Sequence, residues 1–216
     1  MMNEQVINYI ESITKKRSPL LTEMEQYAQE HNVPIMELVG IEALLGILSI
    51  QQPSRILEIG TAIGYSALRM AETLPESEIT TIERDEERYG AAQAFLTRSE
   101  SGSRIHTLLG DALELQEEVE KHGPYDAIFI DAAKGQYQKF FDLYASMLSE
   151  NGVVYSDNVL FKGLVAEEEI EQKRIRNMVK KLQKYNCWLM NHEEYETSIL
   201  PVGDGIAISK KRGERK

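Results

Sequence analysis

Apolar positions in the first fifty residues recur at helical spacing: Val6, Ile10 and Ile13, then Leu21, Met24 and Tyr27–Ala28, then Ile41, Leu44–Leu45 and Leu48. Pro19, Pro34 and Pro53 punctuate these runs. From Arg55 the pattern changes to short apolar runs alternating with amphipathic segments. Strands are expected at Arg55–Gly60, Glu78–Glu83, Arg104–Leu109, Tyr125–Ile130 and Gly152–Ser156. The intervening helices are expected at Tyr65–Leu74, Asp85 to about Arg98, Asp111–Lys121 and about Gln136 to Leu148. Strands separated by helices of this length imply right-handed crossovers and a mainly parallel sheet. A long charged helix from about Ala166 to Tyr185 follows, then two strand-like runs, Thr197–Pro201 and Gly205–Ser209. The short Val202–Gly203–Asp204 link makes those runs an antiparallel hairpin at the sheet edge.

No repeat, low-complexity tract or linker interrupts the 216 residues, so a single α/β domain is expected. Within it, residues 1–52 form an N-terminal helical cap, 53–209 a Rossmann-like core of seven strands, and 210–216 (KKRGERK) a disordered basic tail.

Composition narrows the classes. No apolar run approaches the roughly 20 residues of a membrane-spanning helix, and Met1–Ile13 lacks the basic and apolar regions of a secretory leader. A lone Cys187 excludes an internal disulfide and a cysteine zinc site, so a cytoplasmic location without membrane attachment is expected. A net charge of −11 argues against a surface that binds nucleic acid throughout, although local basic patches remain open.

The sharpest chemical signal is Glu58-Ile59-Gly60-Thr61-Ala62-Ile63-Gly64-Tyr65-Ser66, where the first strand turns into a helix. Open α/β sheets bind their ligands at such turns. The G-x-x-x-G spacing is not the dinucleotide fingerprint, and no Gly-Lys-Ser/Thr follows to grip phosphate. Glu83 ends the second strand, 23 residues after Gly60, where an acid accepts hydrogen bonds from ribose hydroxyls. A ribose-binding acid without a pyrophosphate loop suits S-adenosylmethionine, with Asp111 and Ala112 placed toward the adenine amine. A strand–glycine–helix turn alone is common scaffolding. The ordered set of Glu58, Gly60, Gly64, Glu83 and Asp111 at successive strand ends is not.

Asp131-Ala132-Ala133-Lys134 follows the fourth strand and Asp157-Asn158 the fifth. Two carboxylates and an amide oxygen are hard ligands, suited to Mg²⁺ rather than zinc. Turn capping by Asp and Asn explains either site alone, but less comfortably both at neighbouring strand ends.

The stretches EIGTAIGYS, TIER, GDALE, FIDAAKGQY, DNVLFKG and PVGDGIAISKK resemble the class I methyltransferases of the catechol and caffeoyl-coenzyme-A O-methyltransferase group, across essentially the whole chain. The resemblance implies that Asp131, Asp157 and Asn158 bind the metal and that Lys134 is the general base. It implies a cofactor pocket lined by Val39, Gly60, Ser66, Glu83, Asp111, Ala112 and Asp131, and a homodimer. Within the group it runs toward the bacterial tRNA 5-hydroxyuridine methyltransferases, so tRNA is the expected substrate. A small catechol or phenol, and a non-catalytic S-adenosylmethionine-binding module, are the alternatives. The intact Asp131, Lys134, Asp157 and Asn158 count against the last, because a pure binder needs neither metal ligands nor a base.

Lys173, Arg176, Lys180 and Lys184 fall on one helix face, with Lys15-Lys16-Arg17 and the basic tail as further positive segments. They suit either an RNA backbone or plain solvation of a helix face. The four histidines show no metal-ligand spacing, and Trp188 and Tyr195 are expected to pack rather than to stack on a base.

Overall fold

The computed structural model describes residues 3–213. Its strands are β1 (Arg55–Ile59), β2 (Glu78–Glu83), β3 (Ile105–Leu109), β4 (Tyr125–Ile130), β5 (Leu148–Ser156), β6 (Tyr195–Leu200) and β7 (Ile206–Lys211). They form one sheet in the order β3-β2-β1-β4-β5-β7-β6. β1 to β5 run parallel, while β7 pairs antiparallel with both β5 and β6. The doubly wound arrangement with a terminal antiparallel hairpin is the one expected. The order reverses between β1 and β4, and the carboxyl ends there open the crevice in which such sheets take ligands.

Alternation along the central strands sends neighbouring residues to opposite layers. Ile56, Ala127 and Phe129 pack into one apolar cluster, and Leu57, Ile128 and Ile130 into the other. Both faces are therefore covered, which is why these strands read as near-continuous apolar runs. The first layer contains α2 (Pro19–Glu30), α3 (Leu38–Gln51), α4 (Tyr65–Thr73) and α5 (Glu86–Leu96). The second contains α6 (Gln116–Glu120), α7 (Tyr137–Tyr144) and α8 (Lys173–Met190).

The N-terminal helices divide. Leu21, Met24, Ile41, Leu44 and Leu48 of α2 and α3 are buried in the same cluster as α4, each worth about 1.5–3 kcal/mol of transfer free energy. These two helices are thus part of the core rather than a cap over it. α1 (Glu4–Ile13) has no fully buried residue; Ile7 and Ile10 are half-buried, and Tyr9 and Ile13 are exposed. A polar network joins the N-terminal helices to α4. The Tyr65 hydroxyl donates to Glu25 at 2.6 Å, Arg17 donates to the same carboxylate at 2.7 Å, and Arg69 bonds Glu42 at 2.5 Å.

Several boundaries differ from expectation. The helix expected over Asp111–Lys121 is only Gln116–Glu120, because the Asp111 carboxylate accepts the Leu113 N–H at 2.9 Å and holds a turn. The helix expected to reach Leu148 ends at Tyr144, since Leu148 already pairs with Tyr125 as the start of β5. The C-terminal helix begins at Lys173 rather than Ala166 and runs to Met190, carrying Leu189 into the second cluster. Lys210 and Lys211, expected in a disordered tail, continue β7 against Glu196 and Tyr195. Residues 214–216 of that expected tail lie outside the described residues.

Candidate active site

The β1–α4 turn is built around Gly60. Its φ is +110°, and a Cβ there would lie 2.0 Å from the Asp131 carbonyl oxygen, so only glycine fits. The close approach follows from the ladder: Gly60 N–H donates to Ile82 C=O at 3.0 Å, and Asp131 N–H to Ile59 C=O at 3.0 Å. Three strand ends are thereby tied at one level. Gly110 N–H donates to Glu83 C=O and Asp157 N–H to Ile130 C=O, adding β3 and β5 to the same rim.

Above this rim lies a cavity of about 530 Å³. Gly60, Ser66, Glu83, Asp111, Ala112, Asp131, Lys134, Asp157 and Asn158 all line it. Val39, Glu58 and Gly64, also singled out from sequence, do not. Val39 is buried in α3 beside the lining residue Gly40. Gly64 is the N-cap of α4 at φ 82° and faces Leu96. Glu58 is fully buried beneath the turn, where it accepts hydrogen bonds at 2.5 Å from Ser66 and Thr81. Burial pushes its carboxyl up to about 7, the two hydroxyl donors opposing the rise. Glu58 thus reaches the cavity only through hydroxyls, by way of Ser66 and of Thr81 with the lining residue Thr61.

Glu83 accepts from Ala62 N–H at 2.8 Å and from Arg84 and Asp85 N–H at 3.0 and 2.9 Å. A carboxylate offers about four lone-pair sites, so about one remains for a ligand, rather than the two that a pair of ribose hydroxyls would use. Ala62 adopts φ 47° to deliver its N–H.

At the other end of the cavity, Asp157 is almost completely buried and Asp131 half-buried. Burial raises both carboxyls; the charge of Asp131 raises Asp157 further, and the Lys134 ammonium opposes the rise at each. Asn158, at φ 54°, donates its amide N–H to Asp157 at 2.8 Å and accepts from the Lys134 ammonium through Oδ1. Two crowded acids and an amide oxygen form a hard donor set that one divalent cation would neutralise and that leaves coordination positions for oxygen ligands. Among the described residues no group of three or more His, Cys, Asp and Glu side chains is placed to hold a metal, so a cation here relies on the Asn158 amide.

Several lining residues were not legible. Asp204, in the β6–β7 turn, faces the cavity and accepts the Lys162 N–H at 3.2 Å. Met36 and Glu37 come from the loop before α3, which carries no chemical signal. Arg84, directly after Glu83, and Arg88, in the first turn of α5, also line it, and the only sequence signal for them is their nearness to Glu83. Trp188 and Tyr195 pack with Phe141 at centroid distances of 5.1 and 5.0 Å, as expected, rather than presenting a stacking surface. No helix among the described residues is long and apolar enough to cross a membrane.

The fold is that of Rossmann-like methyltransferases. The chain belongs to the O-methyltransferase family, whose profile matches residues 11–212. It is similar to a caffeoyl-CoA O-methyltransferase of Stellaria longipes, 28% identical over 98% of this chain and 92% of that one. It is 32% identical to a catechol O-methyltransferase of Niastella koreensis over 73% of each. Among solved structures, a Staphylococcus aureus protein provisionally named caffeoyl-CoA O-methyltransferase superposes with a TM-score of 0.87 at 35% identity, covering 97% of this chain and 98% of that one.

Proposed function

We propose that this chain transfers the methyl group of S-adenosylmethionine to a hydroxyl oxygen with the help of Mg²⁺, and that the acceptor is the 5-hydroxyl of 5-hydroxyuridine at the tRNA wobble position, giving 5-methoxyuridine. The observation that carries the transferase reading is the convergence of five strand ends on one cavity: Gly60, Glu83, Asp111, Asp131 with Lys134, and Asp157 with Asn158. In this reading Glu83 takes a ribose hydroxyl, Asp111 and Ala112 flank the adenine, and Gly60 lets the cofactor approach the backbone.

Asp131, Asp157 and Asn158 would hold the cation, which supplies Lewis acidity that favours the ionised acceptor. Lys134 Nζ, beside Asn158, would act as the neutral amine and take the hydroxyl proton, becoming the ammonium. The acceptor oxygen then forms its bond to the methyl carbon as the carbon–sulfur bond breaks, and S-adenosylhomocysteine leaves. The cavity walls hold the two reactants in line, which converts a bimolecular step into an intramolecular one.

The RNA acceptor rests on charge. Lys173, Arg174, Arg176, Lys180, Lys181 and Lys184 of α8 form no ion pair among the described residues, in a chain of net charge −11. Arg84, Arg88 and Lys162 add positive charge at the cavity wall. A small phenol is the second reading, favoured by the similarity to the Niastella catechol O-methyltransferase. The deciding experiment follows labelled methyl from S-adenosylmethionine, with Mg²⁺ or chelator, into tRNA bearing 5-hydroxyuridine and into a catechol. Mg²⁺-dependent label on the tRNA alone is the expected result. Label confined to the catechol would replace the acceptor and keep the chemistry. We further propose a homodimer that uses the exposed Val6, Tyr9 and Ile13 of α1.

A further inference from the structure

Among the described residues, two buried side-chain polar atoms have no hydrogen-bond partner: the Tyr137 hydroxyl and Asn186 Oδ1. Both lie behind the carboxylate end of the cavity. Tyr137 opens α7 directly after the Lys134–Gln136 turn, and its ring meets Tyr185 edge-on at 5.5 Å. Tyr185 in turn shares a 2.7 Å hydrogen bond with Ser156, the residue before Asp157. Asn186 donates its amide to the Val159 carbonyl at 2.8 Å, two residues after Asp157. The Tyr137 hydroxyl also feels the charges of Asp131 and Asp157, both of which disfavour its ionisation. It is a buried donor within reach of two acid charges and without a hydrogen-bond partner among the described residues.

A buried donor left unsatisfied is costly, and native proteins keep few of them. Tyr137 is only 1% exposed, so solvent does not satisfy its hydroxyl. Phenylalanine would fill the same space and make the same edge contact with Tyr185. The hydroxyl thus adds nothing to packing and is available to the acid pair whose charges reach it.

We propose that Tyr137 is a positioning residue for the Asp131–Asp157 pair: its hydroxyl donates to that pair, directly or through one buried water, when the pair holds a divalent cation. The donor fixes the orientation of a ligating carboxylate from behind, as outer partners of metal ligands commonly do. This inference rests on the metal reading of the site.

The test is divalent-cation affinity, read without turnover: Mn²⁺ binding followed by electron paramagnetic resonance, with Tyr137→Phe and Tyr185→Phe compared with the wild type. Y137F is expected to weaken Mn²⁺ binding by tenfold or more while its metal-free melting temperature is unchanged or higher. Y185F, which removes the phenol bonded to Ser156, is expected to lower the melting temperature and to change Mn²⁺ affinity less. Equal Mn²⁺ affinity in Y137F and wild type overturns the proposal, as does equal weakening in both variants. Absence of Mn²⁺ and Mg²⁺ binding in the wild type would instead overturn the metal reading beneath it. A second measurement keeps the question open to refutation should Y137F not fold. The ζ-carbon resonance of Tyr137 in ¹³C-tyrosine-labelled wild type is expected to shift on adding Mg²⁺, and an unmoved resonance in a metal-binding sample overturns the proposal.

Discussion

Gly60 shows how completely one residue can be committed. Its positive φ and the 2.0 Å gap between an added Cβ and the Asp131 carbonyl oxygen leave no place for alanine. Gly60→Ala combines backbone strain with overpacking, and should lower the unfolding free energy by ~2 kcal/mol or more in denaturant titrations. An unchanged midpoint would mean that the two strand ends do not approach as described. Glu58 is a different case. Its carboxyl lies at about 7 against an ordinary value of 4.5, so the fold favours the neutral form. The stabilisation that comes with the proton is present in full at low pH and is lost as the pH rises through 7. A shift of this size corresponds to roughly 3 kcal/mol across the window. Glu58→Gln, uncharged at every pH, should therefore gain stability relative to wild type between pH 5 and pH 8. Parallel stability curves for the two proteins would show that Glu58 does not titrate there.

At the level of elements, α8 carries two distinct faces. Val179, Leu182, Tyr185 and Leu189 anchor it to the second core cluster, while its cations face solvent. Reversing Lys173, Arg176, Lys180 and Lys184 to Glu leaves that anchor untouched. It should sharply lower methylation of tRNA and flatten the salt dependence of what remains, because each lost phosphate contact lowers the slope by about one. S-adenosylmethionine binding by the same variant, measured calorimetrically, should match wild type. Persistent tRNA methylation would make α8 an ordinary solvated helix. Elements were the most legible scale, for a physical reason. Two-face burial of β1 and β4 and the 3.6-residue stripes of α2 and α3 are local patterns. The ends of elements were less legible because side-chain turns and strand pairing set them. The Asp111 turn and the pairing of Leu148 with Tyr125 each ended an expected helix through a contact that periodicity does not encode.

For the whole molecule, the exposed apolar face of α1 predicts self-association. Sedimentation at micromolar concentration should give a dimer, and Tyr9→Lys with Ile13→Glu should shift it to monomer with the melting temperature of the residual fold little changed. A monomeric wild type would leave α1 without its proposed partner. The lining of the cavity was largely visible in residue types at strand ends, since a parallel sheet brings its carboxyl ends to one rim and the order of the motifs along the chain then names the lining. Gly60, Glu83, Asp111, Asp131 and Asp157 could be listed on that ground alone. Which of the neighbouring residues face the cavity was decided by tertiary structure. Glu58 and Ser66 lie on one motif, yet burial directs the acid into a hydroxyl network and leaves only the serine at the cavity. Asp204 and Tyr137 come from distant segments and become neighbours of Asp157 only when β7 pairs with β5 and α7 packs behind β4. Sequence by itself determined the parallel sheet, the identity of the strand-end acids and the acidic balance, because each depends on local pattern or composition. The burial of those acids, their mutual repulsion and the unsatisfied hydroxyl behind them depend on long-range packing, and only the folded chain decided them.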